Sequence, residues 1–100
     1  MRVFNSSTLL GFGKGHAGAE AALRELSRTL RMAEWRANQD MLAAYPGAPP
    51  IKGRRVVFNV KGNDYRVVAR IDFQCQAVFI KFAGIHADYV KIDPETVNQY

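Results

Sequence analysis

Near the end of the chain, FAGIHADYVKID (residues 82–93) places His86, Tyr89 and Lys91 within six residues. Histidine is the side chain whose ordinary pKa lies nearest neutrality, so a residue of this type can give or take a proton at physiological pH. If the segment turns helically, Tyr89 shares the face of His86, three residues on, and could stack on a base or donate a proton. Lys91 adds a cation that points elsewhere at that spacing. The same residues would also suit the polar border of a folded domain, with His86 bonded to a nearby carbonyl and Tyr89 packed on a sheet edge. The other histidine, His16, is distant in sequence, so no metal site is indicated. Cys75 has no histidine close in sequence to activate it and reads as incidental.

Charge narrows the partner. Fourteen Lys and Arg stand against nine Asp and Glu, a net of +5, and the excess is local. Between Ile51 and Lys81 lie Lys52, Arg54, Arg55, Lys61, Arg66, Arg70 and Lys81 against only Asp64 and Asp72, whereas the first fifty residues hold six basic and four acidic residues. Such a surplus is the footprint expected of a polyanion partner, or else the solvated surface of an ordinary basic protein. One hundred residues, 48% of them hydrophobic, suit a single domain over 1–100 with one core. A lone cysteine suits a reducing compartment. The apolar runs are too short to span a bilayer, and MRVFNSSTLL lacks the features of a signal peptide. A cytoplasmic, soluble protein without a membrane partner is the expectation.

Hydrophobic periodicity places these residues on elements. From Ala17, the positions Ala19, Leu23, Leu26 and Leu30 recur at helical spacing among Arg24, Glu25, Arg28 and Arg31, which predicts an amphipathic helix of roughly four turns. Trp35 reads as core or inter-helix packing. A second, short helix is expected through Met41, Leu42 and Tyr45 with Asn38 as its N-cap, before Pro46, Gly47, Pro49 and Pro50 end helical structure. The period then changes to two. RRVVFNV, the turn KGND, YRVVARIDF, the polar turn QCQ and AVFIKF describe a three-stranded antiparallel meander, to which RVF at the start adds a fourth strand at an edge. The fold class is therefore α+β, two N-terminal helices on a three- or four-stranded antiparallel sheet. Val56, Phe58, Val67, Ile71, Val78, Ile80 and, by the same alternation, Phe82 face the helices. The opposite face displays Arg55, Asn59, Lys61, Arg66, Arg70 and Lys81 with Val57, Val68 and Phe79 between them. Cations interleaved with an aromatic on an open sheet suit phosphates and unstacked bases. Asp93 followed by Pro94 reads as another helix start.

RVVFNVKGNDYRVVARIDF followed by VFIKFAGIHADYVKID resembles the HigB-type toxins of bacterial toxin–antitoxin pairs, small mRNA interferases with a RelE-like fold. Trp35, the AAYP of Ala43 to Pro46 and the basic residue before VVFN fit the same layout, so the likeness runs from about Ala19 to Val97. Val90 stands where many members carry an acid, and Leu26 where a tryptophan is common. The resemblance implies a ribosome-dependent mRNA endonuclease that uses neither metal nor cofactor. It also implies a cognate HigA-type helix-turn-helix antitoxin, through which alone operator DNA would be touched. Metal-free cleavage would use the substrate's own 2′-hydroxyl, with a base, an acid and cations to stabilise the phosphorane. Arg66 and Lys81 are then expected at the phosphate, side by side, with His86 and Tyr89 for proton transfer or stacking. Arg54, Arg55, Lys61, Arg70 and Lys91 would hold RNA. A non-catalytic RNA- or ribosome-binding module of the same fold is the alternative, as is a partner in an operator-binding complex.

Overall fold

A computed structural model describes residues 1–16, 18–61 and 64–100. In chain order the elements are β1 (Arg2–Phe4), α1 (Ser6–Lys14), α2 (Glu20–Met32), α3 (Asn38–Ala44), β2 (Pro50–Ile51), β3 (Arg55–Val60), β4 (Tyr65–Asp72), β5 (Ala77–Ile85) and α4 (His86–Tyr89). The sheet runs β1-β5-β4-β3-β2; β1 lies parallel to β5 and the other pairs are antiparallel. The α+β class and the helices packed on one sheet face agree with the sequence pattern, and the edge strand RVF is present. Ala17, Gly62 and Asn63, which the predicted helix start and hairpin turn include, lie outside the described residues.

α2 forms as its periodicity demands, with Ala19, Leu23, Leu26 and Leu30 buried and Arg24 bridging Glu20 at 2.9 Å on the exposed side. The sequence pattern does not suggest α1, because Gly11 and Gly13 weigh against a helix. It is held by packing instead. Leu9 is buried, and a Cβ on Gly13 would stand 3.1 Å from the Glu20 Cα and 3.3 Å from the Leu23 Cδ1, so any larger residue there would make α2 give way by a few tenths of an ångström. In α3, Asn38 is the first helical residue and not the cap. Extended Ala37 takes the cap position, and the Asp40 carboxylate reaches back to accept the Arg36 N–H at 2.9 Å. β2 is a fifth strand, beyond the three or four expected, and it begins on the last of the prolines that end helical structure. A sheet edge tolerates Pro50, whose missing N–H costs nothing on the solvent side.

The helix-facing core holds Val56, Phe58, Val67, Ile71, Val78 and Ile80, as alternation predicts. Phe82 does not join them. Val68 pairs with Phe82 but Ala69 pairs with Ile80, so Lys81 is an extra residue, a β-bulge. Beyond the bulge the faces exchange. Phe82 packs with Val57 and Val68 on the outer side, while Ala83 turns to the main core. Beside the bulge, where β1 no longer pairs with β5, Gln99 takes the backbone: its N–H donates to the Lys81 carbonyl at 2.9 Å and its Oε1 accepts the Ala83 N–H at 3.0 Å.

The outer face is therefore only partly open. Ile51, Tyr89, Ile92 and Val97 cover Val57, Val68 and Phe82. The helix expected from Asp93 stops after one turn. Asp93 Oδ1 accepts the Glu95 N–H at 2.9 Å, but the Arg55 guanidinium takes the Pro94 and Val97 carbonyls at 3.1 and 2.6 Å. A continuing helix would need the Pro94 carbonyl for its own ladder. Among the described residues no helix is long and apolar enough to cross a membrane.

Candidate functional site

Arg66 rises from the outer face of β4 directly opposite Gly84 of β5. Its guanidinium lies 5.6 Å from the Tyr89 ring centre, and one nitrogen reaches the Tyr65 carbonyl at 3.4 Å. The Tyr89 ring rests against Phe82, centres 6.3 Å apart. Phe82 in turn overhangs Gly84, where an added Cβ would come within 2.6 Å of the ring tip. The bulge thus turns Phe82 outward, Phe82 backs Tyr89, and the Tyr89 ring lies under the Arg66 guanidinium. A guanidinium held over an aromatic face keeps its N–H fork pre-organised for two phosphate oxygens.

His86 begins α4 immediately after Ile85, which pairs with Tyr65. Its backbone N–H is tied to the Asp64 carbonyl at 3.1 Å, and its side chain is exposed. The two histidines differ in kind. The His16 ring hydrogen-bonds the Phe12 carbonyl at 2.9 Å, stacks on Phe12 at 4.0 Å and meets Tyr65 edge-on at 6.0 Å. The His86 ring forms no hydrogen bond among the described residues, so the carbonyl-bound histidine expected of a purely structural role is His16. One helical turn sets His86 and Tyr89 three residues apart on the same side. Lys91 follows α4, exposed, with its N–H on the Asp88 carbonyl at 3.1 Å.

Lys81 is not the end of its strand, and the register does not set it opposite Arg66. It sits mid-β5 in the bulge, its ammonium 3.1 Å from the Asn98 Oδ1 and 5.9 Å from the Phe79 ring centre. The one-residue shift and the C-terminal segment 93–100, a strap laid across the outer face, account for this difference from the simple alternation. Arg70, opposite Phe79, lies over that same ring at 5.6 Å. Arg55 is spent on the strap, and Arg54, at φ 60°, stands 3.9 Å from Asp72. The Lys61 ammonium lies against Gly18 between α1 and α2. The Cys75 N–H donated at 3.0 Å holds the Asp72 carboxyl below its ordinary pKa; the Cys75 thiol, Arg54 and Arg70 add to this against the opposing effect of burial. Alternation puts Phe82 on the wrong face and gives no role to Gly84, because the bulge that sets Phe82 over Gly84 and against Tyr89 leaves no mark in the pattern of residues.

Residues 19–92 match the model of the HigB toxin family, described as a RelE-like toxic component of a toxin–antitoxin system. The chain belongs to the HigB toxin family. It is 33% identical over 73 residues, 71% of each chain, to the mRNA interferase HigB of Escherichia coli O6:H1. The HigB match begins beside α2 and ends just past α4, so it takes in Arg66, Lys81, His86, Tyr89 and Lys91 and leaves β1 and α1 outside. As a HigB toxin the protein has an antitoxin for a partner.

Proposed function

We propose that the protein is an mRNA endonuclease that cuts within the ribosome and arrests translation, with Arg66, His86 and Tyr89 forming the reacting centre. The observation that carries this reading is the Arg66 guanidinium lying over the Tyr89 ring, with His86 one helical turn before that ring. The relative's name, mRNA interferase, supports the substrate. In this reading the 2′-oxygen of the nucleotide before the cut attacks phosphorus, and the bond from phosphorus to the 5′-oxygen breaks. The products are a 2′,3′-cyclic phosphate and a 5′-hydroxyl. His86 either takes the 2′-hydroxyl proton, with Tyr89 or water giving one to the departing 5′-oxygen, or gives that proton itself while water takes the one from the 2′-hydroxyl and Tyr89 stacks on a base. Arg66 neutralises the phosphorane oxygens. No metal takes part. Lys81, Arg54, Arg70, Lys61 and Lys91 hold RNA at a distance from the scissile phosphate, and the antitoxin, of HigA type, acts by covering this face or blocking ribosome entry.

The test is cleavage by purified protein of an mRNA on translating ribosomes and of the same RNA naked, with the new ends identified. Expected are ribosome-dependent cuts that leave cyclic phosphate and 5′-hydroxyl ends and vanish when the nucleotide before the cut is 2′-deoxy. Equal cutting of naked RNA would remove the ribosome from the proposal. Ends bearing 5′-phosphate would sink the 2′-hydroxyl mechanism, and a folded but inactive protein would leave a binding module.

Gly84 gives a further check on positioning. Gly84→Val must push the Phe82 ring aside, and with it Tyr89, at an overpacking cost of about 1–3 kcal/mol. Misplacement by about an ångström is enough to slow cleavage roughly 10²-fold. A thermal melt beside the cleavage assay separates misplacement from unfolding. Full activity in a folded Gly84→Val protein would show that Tyr89 need not be held where it is.

A further inference from the structure

On the other end of the outer face a second aromatic group has no part in the reacting centre. Phe4 of β1 pairs with Phe79 of β5, and the two rings stack nearly parallel, 4.9 Å apart at 8°. Cations surround them: Arg2 lies 5.5 Å from the centre of the Phe4 ring, and Arg70 and Lys81 lie 5.6 and 5.9 Å from that of Phe79. Across the sheet the paired residues read Phe4, Phe79, Arg70, Arg55, one row over four strands. Phe4 remains 40% exposed and belongs to neither hydrophobic cluster. Its strand is the sheet's edge, so no further strand covers its outer side. The nearest acid on β4's outer face, Asp72, is occupied by the Cys75 N–H and faces Arg54.

From this arrangement we infer that Phe4 and Phe79 form a stacking ledge for an unpaired nucleobase of single-stranded RNA, with Arg2 and Lys81 on the adjoining phosphates. An exposed π-stack flanked by three cations meets both demands of single-strand recognition, a face for a base and charge along the backbone. The row Phe4–Phe79–Arg70 is already a stack that ends at an open edge, and a base continues it there. Arg66 and Arg70 are four residues apart on β4, so the ledge lies about 13 Å from the reacting centre. A strand with its scissile phosphate on Arg66 therefore has its flanking nucleotides, and not the reacting one, within reach of Phe4. This inference rests on the reading of RNA as substrate.

The experiment is equilibrium binding of a short, fully 2′-O-methylated single-stranded RNA, followed by anisotropy across a salt series, for wild type, Phe4→Ala, Phe4→Leu, Phe4→Trp, Arg2→Ala and Arg66→Ala. Phe4→Ala and Phe4→Leu are expected to weaken binding roughly 5- to 100-fold, leucine included because it keeps apolar bulk but no π-face. Phe4→Trp should bind as wild type and lose indole emission when RNA is added. Arg2→Ala should reduce the slope of log affinity against log salt by about 0.7. Wild-type affinity in both Phe4→Ala and Phe4→Leu, or unquenched Phe4→Trp emission, overturns the ledge. If Arg66→Ala alone weakens binding in that case, the reacting centre stands without it. Wild-type protein that binds no RNA also overturns the ledge, and ribosomal cleavage then judges the reacting centre separately. Loss of antitoxin binding in Phe4→Ala at unchanged RNA affinity would assign the stack to the protein partner and overturn the inference as well.

Discussion

Replacing His86 by alanine should slow mRNA cleavage on translating ribosomes by about 10²–10⁴-fold, the usual contribution of a positioned acid or base. The side chain is exposed and makes no hydrogen bond among the described residues, so its removal leaves the fold nearly untouched, within about 0.5 kcal/mol. What holds α4 in place is the backbone: the His86 N–H on the Asp64 carbonyl and the Val90 N–H on the His86 carbonyl survive any substitution except proline. Single-turnover cleavage, thermal melts and ribosome pelleting together decide the matter. A folded His86→Ala protein that binds ribosomes and cuts at the wild-type rate would move proton transfer to Tyr89 or to the substrate's surroundings.

Arg66→Ala is expected to lower the same rate by about 10²–10³-fold, comparable to losing one pre-organised donor to a developing charge. Arg66→Lys should fall between, because an ammonium keeps the charge but not the two-pronged grip or the guanidinium's place over the Tyr89 ring. The lysine variant tells charge from geometry. Equal loss in both variants assigns the work to the guanidinium fork, full activity in the lysine variant assigns it to charge, and full activity in both removes Arg66 from the centre. Since Arg66 also leans on the Tyr65 carbonyl and Tyr89, melts of each variant are needed alongside.

Much of this molecule is legible in its residues where pattern and burial agree. Leu23, Leu26 and Leu30 announce α2, and Val56 with Phe58, and Val67 with Ile71, announce which face of β3 and β4 is dry. Legibility fails where tertiary contact overrides local preference. Gly11 and Gly13 argue against the helix that Leu9 and the close approach to Glu20 nonetheless stabilise. Pro50 argues against the strand that an edge position permits. The bulge is the most consequential case. VFIKF alternates without fault, and the extra residue at Lys81 shows only in the strand register, where Gln99, from a distant part of the chain, binds the Lys81 carbonyl and the Ala83 N–H. That shift decides the partners of Arg66 and Phe82. The spacing of His86 and Tyr89 survives all of this because a single turn of helix is local.

The parallel pairing of β1 with β5 carries a consequence for the newly made chain. Every other strand pair joins β-strands that follow one another in sequence, whereas Phe4 must wait for Phe79 across α1, α2, α3 and three intervening strands. Contacts between distant parts of a chain form late, because the entropy of closing so large a loop is spent before any pairing returns it. During synthesis the amino end leaves the ribosome with its edge strand unmatched. The edge strand docks, and the aromatic pair comes together, only after β5 has emerged.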